Sequence, residues 1–284
     1  MNLLIDKLHY SDTREEAKKQ NLPDEDSILE NDGVFCVYDG VKIMHTDPYP
    51  NPSPAKQAAD LAAKETIDFL VQNKSTVEPT ALIAKTVVHV NEKIKELNEK
   101  NGITPQTADH HKKQYAAVTG AFGFTKGNML HFAQLNDSGV MVFDWQGNRE
   151  VDFLLNQTPF IKKMEKLRTE RKLVENSLEE HIFIRKELVN NAESSFEGKK
   201  LNFGVMNGEK TGEQFWHYGS TNLFSGQVAL LYSDGFIPFV YNDGFAKLFF
   251  ENDYLEKAKL YIEEKQKESE KYQKEKSLIV VKVE

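Results

Sequence analysis

Two apolar segments of the chain each run directly into an Asp-Gly pair. The first, V-F-C-V-Y, precedes Asp39-Gly40, and the second, V-A-L-L-Y, precedes Ser233-Asp234-Gly235. Such runs are typical of buried strands, and each would end by placing a carboxylate in a loop, with a glycine carbonyl available beside it. Hard divalent cations bind carboxylate and carbonyl oxygens on rigid supports, so the two pairs predict a shared metal site. The alternative is that each Asp-Gly pair is an ordinary turn.

Further polar clusters surround these two segments in the sequence. An acidic stretch containing Glu25-Asp26 precedes the first apolar run, and Asp137 lies in the turn N-D-S. His110-His111 resembles a metal-binding pair, but a polar loop explains it more simply. His45 and Asp47 lie in a proline-rich segment and would be near the cleft, or would belong to an exposed loop.

Composition excludes several classes of function. The net charge of −8, from 44 acidic and 36 basic residues, argues against nucleic-acid binding through phosphate neutralisation. No run of 18 apolar residues is present, so we expect no membrane span, and the N-terminal segment lacks the pattern of a signal peptide. Cys36 is the single cysteine, which precludes an intrachain disulfide and favours the cytoplasm. We interpret it as a core residue.

The spacing of apolar residues predicts which elements position these groups. Helices are expected from Pro54 to Val71 with Ser53 as N-cap, over 78–100, twice within 159–191, over 239–250 and over 253–274. Strands are expected over 1–12, 34–39, 115–125, 128–136, 138–144, 149–154, 201–206, 215–218, 227–232 and 277–283. Blocks of helices alternating with antiparallel strands indicate an α+β fold. We predict one domain over 1–284, with a helical insertion around 159–191.

In chain order, the landmarks are Glu25-Asp26, Asp39-Gly40, the N-D-S turn, Asp234-Gly235 and a last β-branched strand. This set resembles the metal-dependent, type 2C serine/threonine protein phosphatases, as a divergent member of bacterial type. The resemblance implies a four-layer α-β-β-α sandwich, in which helices flank an antiparallel central β-sandwich on both sides. It also implies two Mg²⁺ or Mn²⁺ ions, with a third possible, and hydrolysis of phosphoserine or phosphothreonine by a metal-bound hydroxide. The expected partner is a phosphorylated protein substrate. We expect the protein to be a monomer, to lie in the cytoplasm and to act in signalling.

The resemblance also implies roles for individual residues. Asp39 would bridge the two ions, the Gly40 carbonyl would complete one and Asp234 the other. Asp26 would take part in catalysis by holding metal-bound water, with Glu25 beside it. Phosphoryl transfer needs neutralised phosphate oxygens and an activated water, and bound divalent ions would supply both.

Three positions depart from the family pattern or leave a choice open. Asp137 would help to bind a third ion, or belongs to a plain hairpin turn. The family's last metal aspartate falls on Lys274, and Glu275, one place along, would replace it. Asn21 lies near the place of the family's phosphate-binding arginine, so Lys18 or Lys19 would contact the substrate phosphate instead.

Two rival functions remain open at the level of sequence. The first is a weakly active or inactive pseudophosphatase that acts as a binding or regulatory module, suggested by the uncertain ligand at 275 and the missing arginine. The second is an unrelated metal hydrolase, such as a nuclease, which the negative charge disfavours.

Overall fold

The computed structural model describes residues 2–42, 49–108, 114–152, 158–174, 177–190, 195–196, 199–200 and 203–284. The strands are β1 (Leu3–Tyr10), β2 (Ser27–Asn31), β3 (Val34–Gly40), β4 (Val118–Lys126), β5 (Met129–Leu135), β6 (Gly139–Phe143), β7 (Arg149–Asp152), β8 (Ser195–Phe196), β9 (Lys199–Lys200), β10 (His217–Asn222), β11 (Val228–Tyr232) and β12 (Lys276–Val283). The helices are α1 (Glu15–Gln20), α2 (Pro54–Asn73), α3 (Pro79–Lys100), α4 (Thr158–Arg171), α5 (Leu178–Glu187), α6 (Ile237–Val240), α7 (Asp243–Leu248) and α8 (Tyr254–Glu268). His45, Asp47, His110 and His111 lie outside the described residues.

Ten of these strands form two five-stranded antiparallel sheets. The first sheet has the order β1-β12-β11-β6-β7, and the second has the order β10-β5-β4-β3-β2. The hairpin between β2 and β3 turns at Asp32 and Gly33, both of which have positive φ, as a tight two-residue turn requires. The connection from β5 to β6 passes from the second sheet to the first.

Three apolar cores separate four layers. Within β3, Val34, Cys36 and Tyr38 pack against α2 and α3, whereas Phe35 and Val37 pack between the sheets. β11 and β12 alternate in the same way between the sheet interface and the helices α6 to α8. Because both faces of these central strands are buried, their sequences are continuously apolar rather than alternating. The predicted α+β, four-layer α-β-β-α sandwich is therefore confirmed.

The N-terminus of α2 is a local structure that the sequence defines well. Ser53 has an extended backbone and its hydroxyl accepts a hydrogen bond from Lys56 N at 2.9 Å, while Pro54 occupies the first helical position. The two helices predicted within 159–191 are α4 and α5. Among the described residues, none of the helices combines the length and hydropathy that a membrane-spanning segment requires.

Several predicted boundaries are wrong. The helix expected over 239–250 is divided into α6 and α7, because the Asn242 side chain accepts a hydrogen bond from Gly244 N and starts a new helix. The helix expected over 253–274 ends with α8 at Glu268, where Ser269 is extended. Residues 210–215 form a 3₁₀ helix, so β10 begins only at His217. The described part of 201–206 forms only an isolated bridge between Met206 and Val118.

Candidate metal centre

The predicted acidic residues meet at one end of the sandwich. β3 ends at Gly40, which is paired with Val118 at the start of β4, and β11 ends at Tyr232, beside the start of β12. Asp137 lies in the connection that crosses from one sheet to the other. A cavity of about 480 Å³ opens there. Its lining includes Gly40 and all six predicted carboxylates: Glu25, Asp26, Asp39, Asp137, Asp234 and Glu275.

The start of α2 fixes one wall of this cavity. A Cβ atom on Gly40 would lie 2.8 Å from the Ala55 carbonyl and 2.9 Å from the Glu25 carbonyl, so the strand end and the helix can approach only with glycine here. Ser53 Oγ donates to Glu25 Oε1 at 2.6 Å, and Tyr49 Oη donates to the same oxygen at 2.7 Å. Glu25 is thereby held against the helix cap.

Asp26 is buried and is positioned by the end of β11 and by helix α2. Its Oδ2 accepts a hydrogen bond from Ser233 Oγ at 2.7 Å, and its carbonyl accepts one from Lys56 Nζ at 2.7 Å. Burial raises the pKa of Asp26 to about 7, against the opposing effect of the Ser233 hydrogen bond.

Asp39 lies among the other carboxylates. Burial raises the pKa of Asp39 well above its ordinary value, and repulsion from Asp26, Asp234, Asp137 and Glu275 raises it further. Within the described residues, none of the hydrogen bonds or ion pairs reaches the Asp39 carboxylate. An oxygen-rich, crowded site of this kind is stabilised by a hard cation.

Asp137 borders the same space. Thr119 Oγ1 donates to Asp137 Oδ1 at 3.4 Å, a long and weak hydrogen bond. Burial raises the pKa of Asp137 to about 7, and the charge on Asp234 raises it further.

The Asp234 side of the cluster differs from the Asp39 side, because the ammonium group of a lysine already contacts Asp234. Lys274 Nζ lies 3.1 Å from Asp234 Oδ2, with the two side chains 46% and 27% exposed. The charge of Asp234 is the main cause of the raised pKa of Lys274.

Glu275 faces the backbone of the acidic pair. Its Oε2 accepts from Glu25 N at 2.9 Å and its Oε1 accepts from Asp26 N at 2.7 Å, which joins the start of β12 to the start of β2. Its pKa is raised to about 8, first by burial and then by Asp26. Both carboxylate oxygens of Glu275 therefore accept hydrogen bonds from backbone amides, and the role of Glu275 as a metal ligand stays a prediction.

The donor set fits a divalent ion on one side of the cavity. Asp39, the Gly40 carbonyl and the nearby Asp26 and Glu25 offer hard oxygen atoms, which suit Mg²⁺ or Mn²⁺. The Asp234 side offers fewer oxygens because an ammonium group is already there.

A separate trio of possible ligands lies near the acidic pair. Within the described part of the chain, the group of three whose ligand atoms lie within 4.8 Å of one another is His9, Asp24 and Glu275. The two carboxylates already accept hydrogen bonds, Asp24 Oδ2 from Ser11 Oγ at 2.6 Å and Glu275 from two backbone amides. His9 Nδ1 pairs with Ser277 Oγ at 2.9 Å, and its Nε2 lies 3.5 Å from Asp24 Oδ2. The carboxylates of the cavity are spaced more widely.

The cationic lining of the cavity was not predicted. Lys18 and Lys19 are exposed residues at the end of α1 and are not among the lining residues, so their contact with a phosphate stays a prediction without support from the geometry. Arg14, Lys42 and Arg185 line the cavity instead. 

Arg185 belongs to α5, far from every sequence motif. It donates to Gln114 Oε1 and to the Lys42 carbonyl, and it interacts electrostatically with Tyr49 and Glu25. Only the tertiary fold brings it to the site, so no local signal could have identified it. Arg14 could have been considered from the sequence, since it is an arginine upstream of Glu25-Asp26. However, α1 lies between it and Asn21, near which the family's phosphate-binding arginine is expected.

The fold of this chain is similar to that of solved serine/threonine phosphatases. No protein-family model matches the chain, and no curated protein matches it in sequence. Among solved structures, the serine/threonine phosphatase PstP/Ppp of Mycobacterium tuberculosis is 16% identical, with a TM-score of 0.60 and 99% of each chain covered. The PstP catalytic domain in complex with 2 manganese ions is 15% identical, with a TM-score of 0.61 and 99% of each chain covered. Stp1 of Staphylococcus aureus is 11% identical, with a TM-score of 0.61, 100% of this chain and 96% of that chain covered. The family resemblance seen in the sequence is thus confirmed as a likeness of fold.

Proposed function

We propose that this protein is a divalent-metal-dependent phosphatase that hydrolyses phosphoserine and phosphothreonine in phosphorylated proteins. The observation that carries the proposal is the meeting of Asp39-Gly40, Asp26 and Asp234, from distant parts of the chain, in one cavity at the end of the sandwich. The likeness to solved serine/threonine phosphatases supports it.

Each group in the cavity has a role in this proposal. An ion bound by Asp39 and the Gly40 carbonyl would neutralise the phosphate oxygens and lower the pKa of a water molecule. Asp26, oriented by Ser233, accepts hydrogen bonds from the attacking water and aligns it, while Glu25 holds a second water. The oxygen donors suit Mg²⁺ and Mn²⁺. The family resemblance implies two such ions, with Asp137 near a third, but here the Lys274 ammonium already contacts Asp234, the expected ligand of the second.

The substrate phosphate needs positive charge near the ion. Arg14 and Arg185 line the cavity and are better placed than Lys18 or Lys19. Arginine also offers paired N–H donors that match phosphate oxygens. We place the enzyme in the cytoplasm as a monomer.

Activity assays test the proposal directly. The purified protein is expected to hydrolyse p-nitrophenyl phosphate and a phosphothreonine peptide with Mn²⁺, and chelation should abolish both activities. Asp39→Asn should remove turnover without changing the circular dichroism spectrum. Asp32→Asn is the matched control, since Asp32 is an exposed turn residue whose left-handed backbone suits asparagine. Full activity of Asp39→Asn would contradict the proposal.

The ion pair between Lys274 and Asp234 favours a second candidate, a pseudophosphatase that binds phosphoproteins without hydrolysing them. Calorimetry with a phosphothreonine peptide and Mn²⁺ separates the two. Tight peptide binding without any turnover supports the pseudophosphatase, whereas turnover that depends on Asp39 supports the enzyme.

A further inference from the structure

Lys274 is held in the cavity by its backbone as well as by its charge. Lys276, which is fully buried, donates from Nζ to the Lys274 carbonyl at 2.5 Å. The Lys276 ammonium also lies 5.6 Å from the Tyr10 ring centroid and 5.8 Å from that of Phe239. These contacts fix the peptide that carries Lys274.

The facing strand end is equally constrained. A Cβ atom on Gly235 would lie 2.0 Å from the Glu275 carbonyl, so the backbone after Asp234 lies directly against the start of β12. Ser233 N also donates to the Ser277 carbonyl at 3.0 Å. The 3.1 Å contact between Lys274 Nζ and Asp234 Oδ2 therefore joins side chains whose backbones are held next to each other.

The charges divide the carboxylate cluster into two parts. Asp234, and at longer range Asp137, interact with the Lys274 ammonium. Asp39, at the end of β3, has a carboxylate that no hydrogen bond or ion pair of the described residues engages, and Gly40 lies beside it in the lining of the cavity. A divalent ion at Asp234 would have to displace the ammonium, because a positive charge 3.1 Å from the carboxylate oxygen repels it and occupies its space.

We propose that the Lys274 ammonium is a built-in cation on the Asp234 side of the cluster, so that the protein binds one divalent ion, at Asp39-Gly40, rather than two. This inference rests on the proposed function for the identity of the ion site. The ammonium supplies a single charge and three hydrogen-bond donors, and unlike a second metal ion it cannot be removed by chelation.

Metal stoichiometry tests this directly. Isothermal titration with Mn²⁺, checked by elemental analysis after gel filtration, should give one ion per chain for the natural sequence. Lys274→Asp removes the ammonium and adds a carboxylate beside Asp234, so it should bind two. Lys271→Asp makes the same change of charge on an exposed residue three positions earlier and should still bind one. Two ions in the natural sequence, or one ion in a folded Lys274→Asp variant, would overturn the inference.

A second variant covers the case in which Lys274→Asp does not fold. Lys274→Gln removes the charge without adding repulsion, and a second Mn²⁺ should then bind, more weakly than the first. Continued binding of only one ion by folded Lys274→Gln would count against the built-in cation.

Phosphatase assays on the same samples keep this inference separate from the proposed function. One bound ion without turnover in the natural sequence supports the inference and contradicts the phosphatase. Two bound ions with turnover contradict the inference and support the phosphatase. If no ion binds, both are wrong.

Discussion

At the scale of single residues, Ser233 connects the metal centre to the sandwich. Its hydroxyl donates to Asp26 Oδ2 at 2.7 Å and accepts from Ser277 N at 2.9 Å, and the residue is fully buried. Asp26 therefore owes its orientation to a side chain that comes from the other sheet. A serine before Asp234-Gly235 is thus as much a part of the site as the aspartate that follows it.

Replacing this hydroxyl should weaken both the fold and the site. Ser233→Ala removes one of the two serine hydrogen bonds to the Asp26 carboxylate and leaves the Ser277 amide without the Ser233 hydroxyl, which is expected to cost about 1–3 kcal/mol in the free energy of unfolding. Urea denaturation measures the loss, and Ser75→Ala at an exposed turn should change stability by less than about 0.5 kcal/mol. Equal stability of the two variants would contradict this role for Ser233.

His131 should make stability depend on pH. Burial lowers the pKa of His131 below its usual value of 6.5, with Glu78 opposing the shift. Below about pH 6.5 the unfolded chain takes up a proton that the folded protein resists, so stability falls as pH decreases from there towards the lowered pKa.

A comparison of urea unfolding at pH 7.5 and 5.5 checks this expectation. His131→Asn keeps a polar group near Ser220 Oγ, which lies 2.8 Å from His131 Nδ1. Asp26, Asp137 and Glu275, whose pKa values are raised to about 7, 7 and 8, take up protons in the same range and act in the opposite direction, so the two proteins are compared with each other. On going from pH 7.5 to 5.5, the free energy of unfolding should fall less, or rise more, in His131→Asn than in the natural sequence. The same change in both proteins would rule out a contribution from His131.

At the scale of elements, α5 forms part of the cavity wall. His181, Ile184 and Arg185 all line the cavity, and Arg185 bonds to Gln114 and to the Lys42 carbonyl beyond the end of β3. The helix is held at its own N-terminus, where Ser177 Oγ accepts from Glu180 N at 3.2 Å. One arginine thus joins the helical insertion to the strand that carries Asp39.

Removing that arginine should loosen the insertion. Arg185→Ala loses hydrogen bonds from a charged donor, each worth about 1.5–3 kcal/mol, so residues 158–190 should become more sensitive to limited proteolysis. The KM for a phosphopeptide should rise on the order of tenfold, as expected from a loss of about 1.4 kcal/mol in binding. The adjacent, exposed Lys186→Ala is the control, and equal proteolysis of the two variants would contradict the role of Arg185.

Elements with strong local signals could be predicted from the sequence, and those that depend on distant contacts could not. The apolar runs before Asp39 and Asp234 identify central strands because each is buried on both faces. Ser53-Pro54 marks the start of α2 for a local reason as well. By contrast, the contact of Lys274 with Asp234 depends on where β12 begins, and a shift of one residue would have presented Glu275 instead.

At the scale of the whole molecule, ion binding and folding should be linked. An ion that binds only the folded protein stabilises it by about 2.7 kcal/mol at a free concentration one hundred times Kd. Mn²⁺ should therefore raise the free energy of unfolding of the natural sequence by about that amount and leave Asp39→Asn unchanged. The same increase in Asp39→Asn would locate the ion elsewhere.

The three cores explain how a cluster of acidic groups is tolerated at one end of the sandwich. The sheet interface and the two helix-covered faces are built mainly from apolar side chains, and the carboxylates of the cavity meet where the strands stop. The folded state thus concentrates its electrostatic repulsion in one place, where a cation relieves it.

The bonds from the Glu25 and Asp26 amides to Glu275 connect residues 250 and 249 positions apart. During synthesis on a ribosome, the acidic pair is therefore made long before the residue that accepts the hydrogen bonds from its amides. These two bonds can form only after Glu275 has been synthesised and β12 has inserted between β1 and β11.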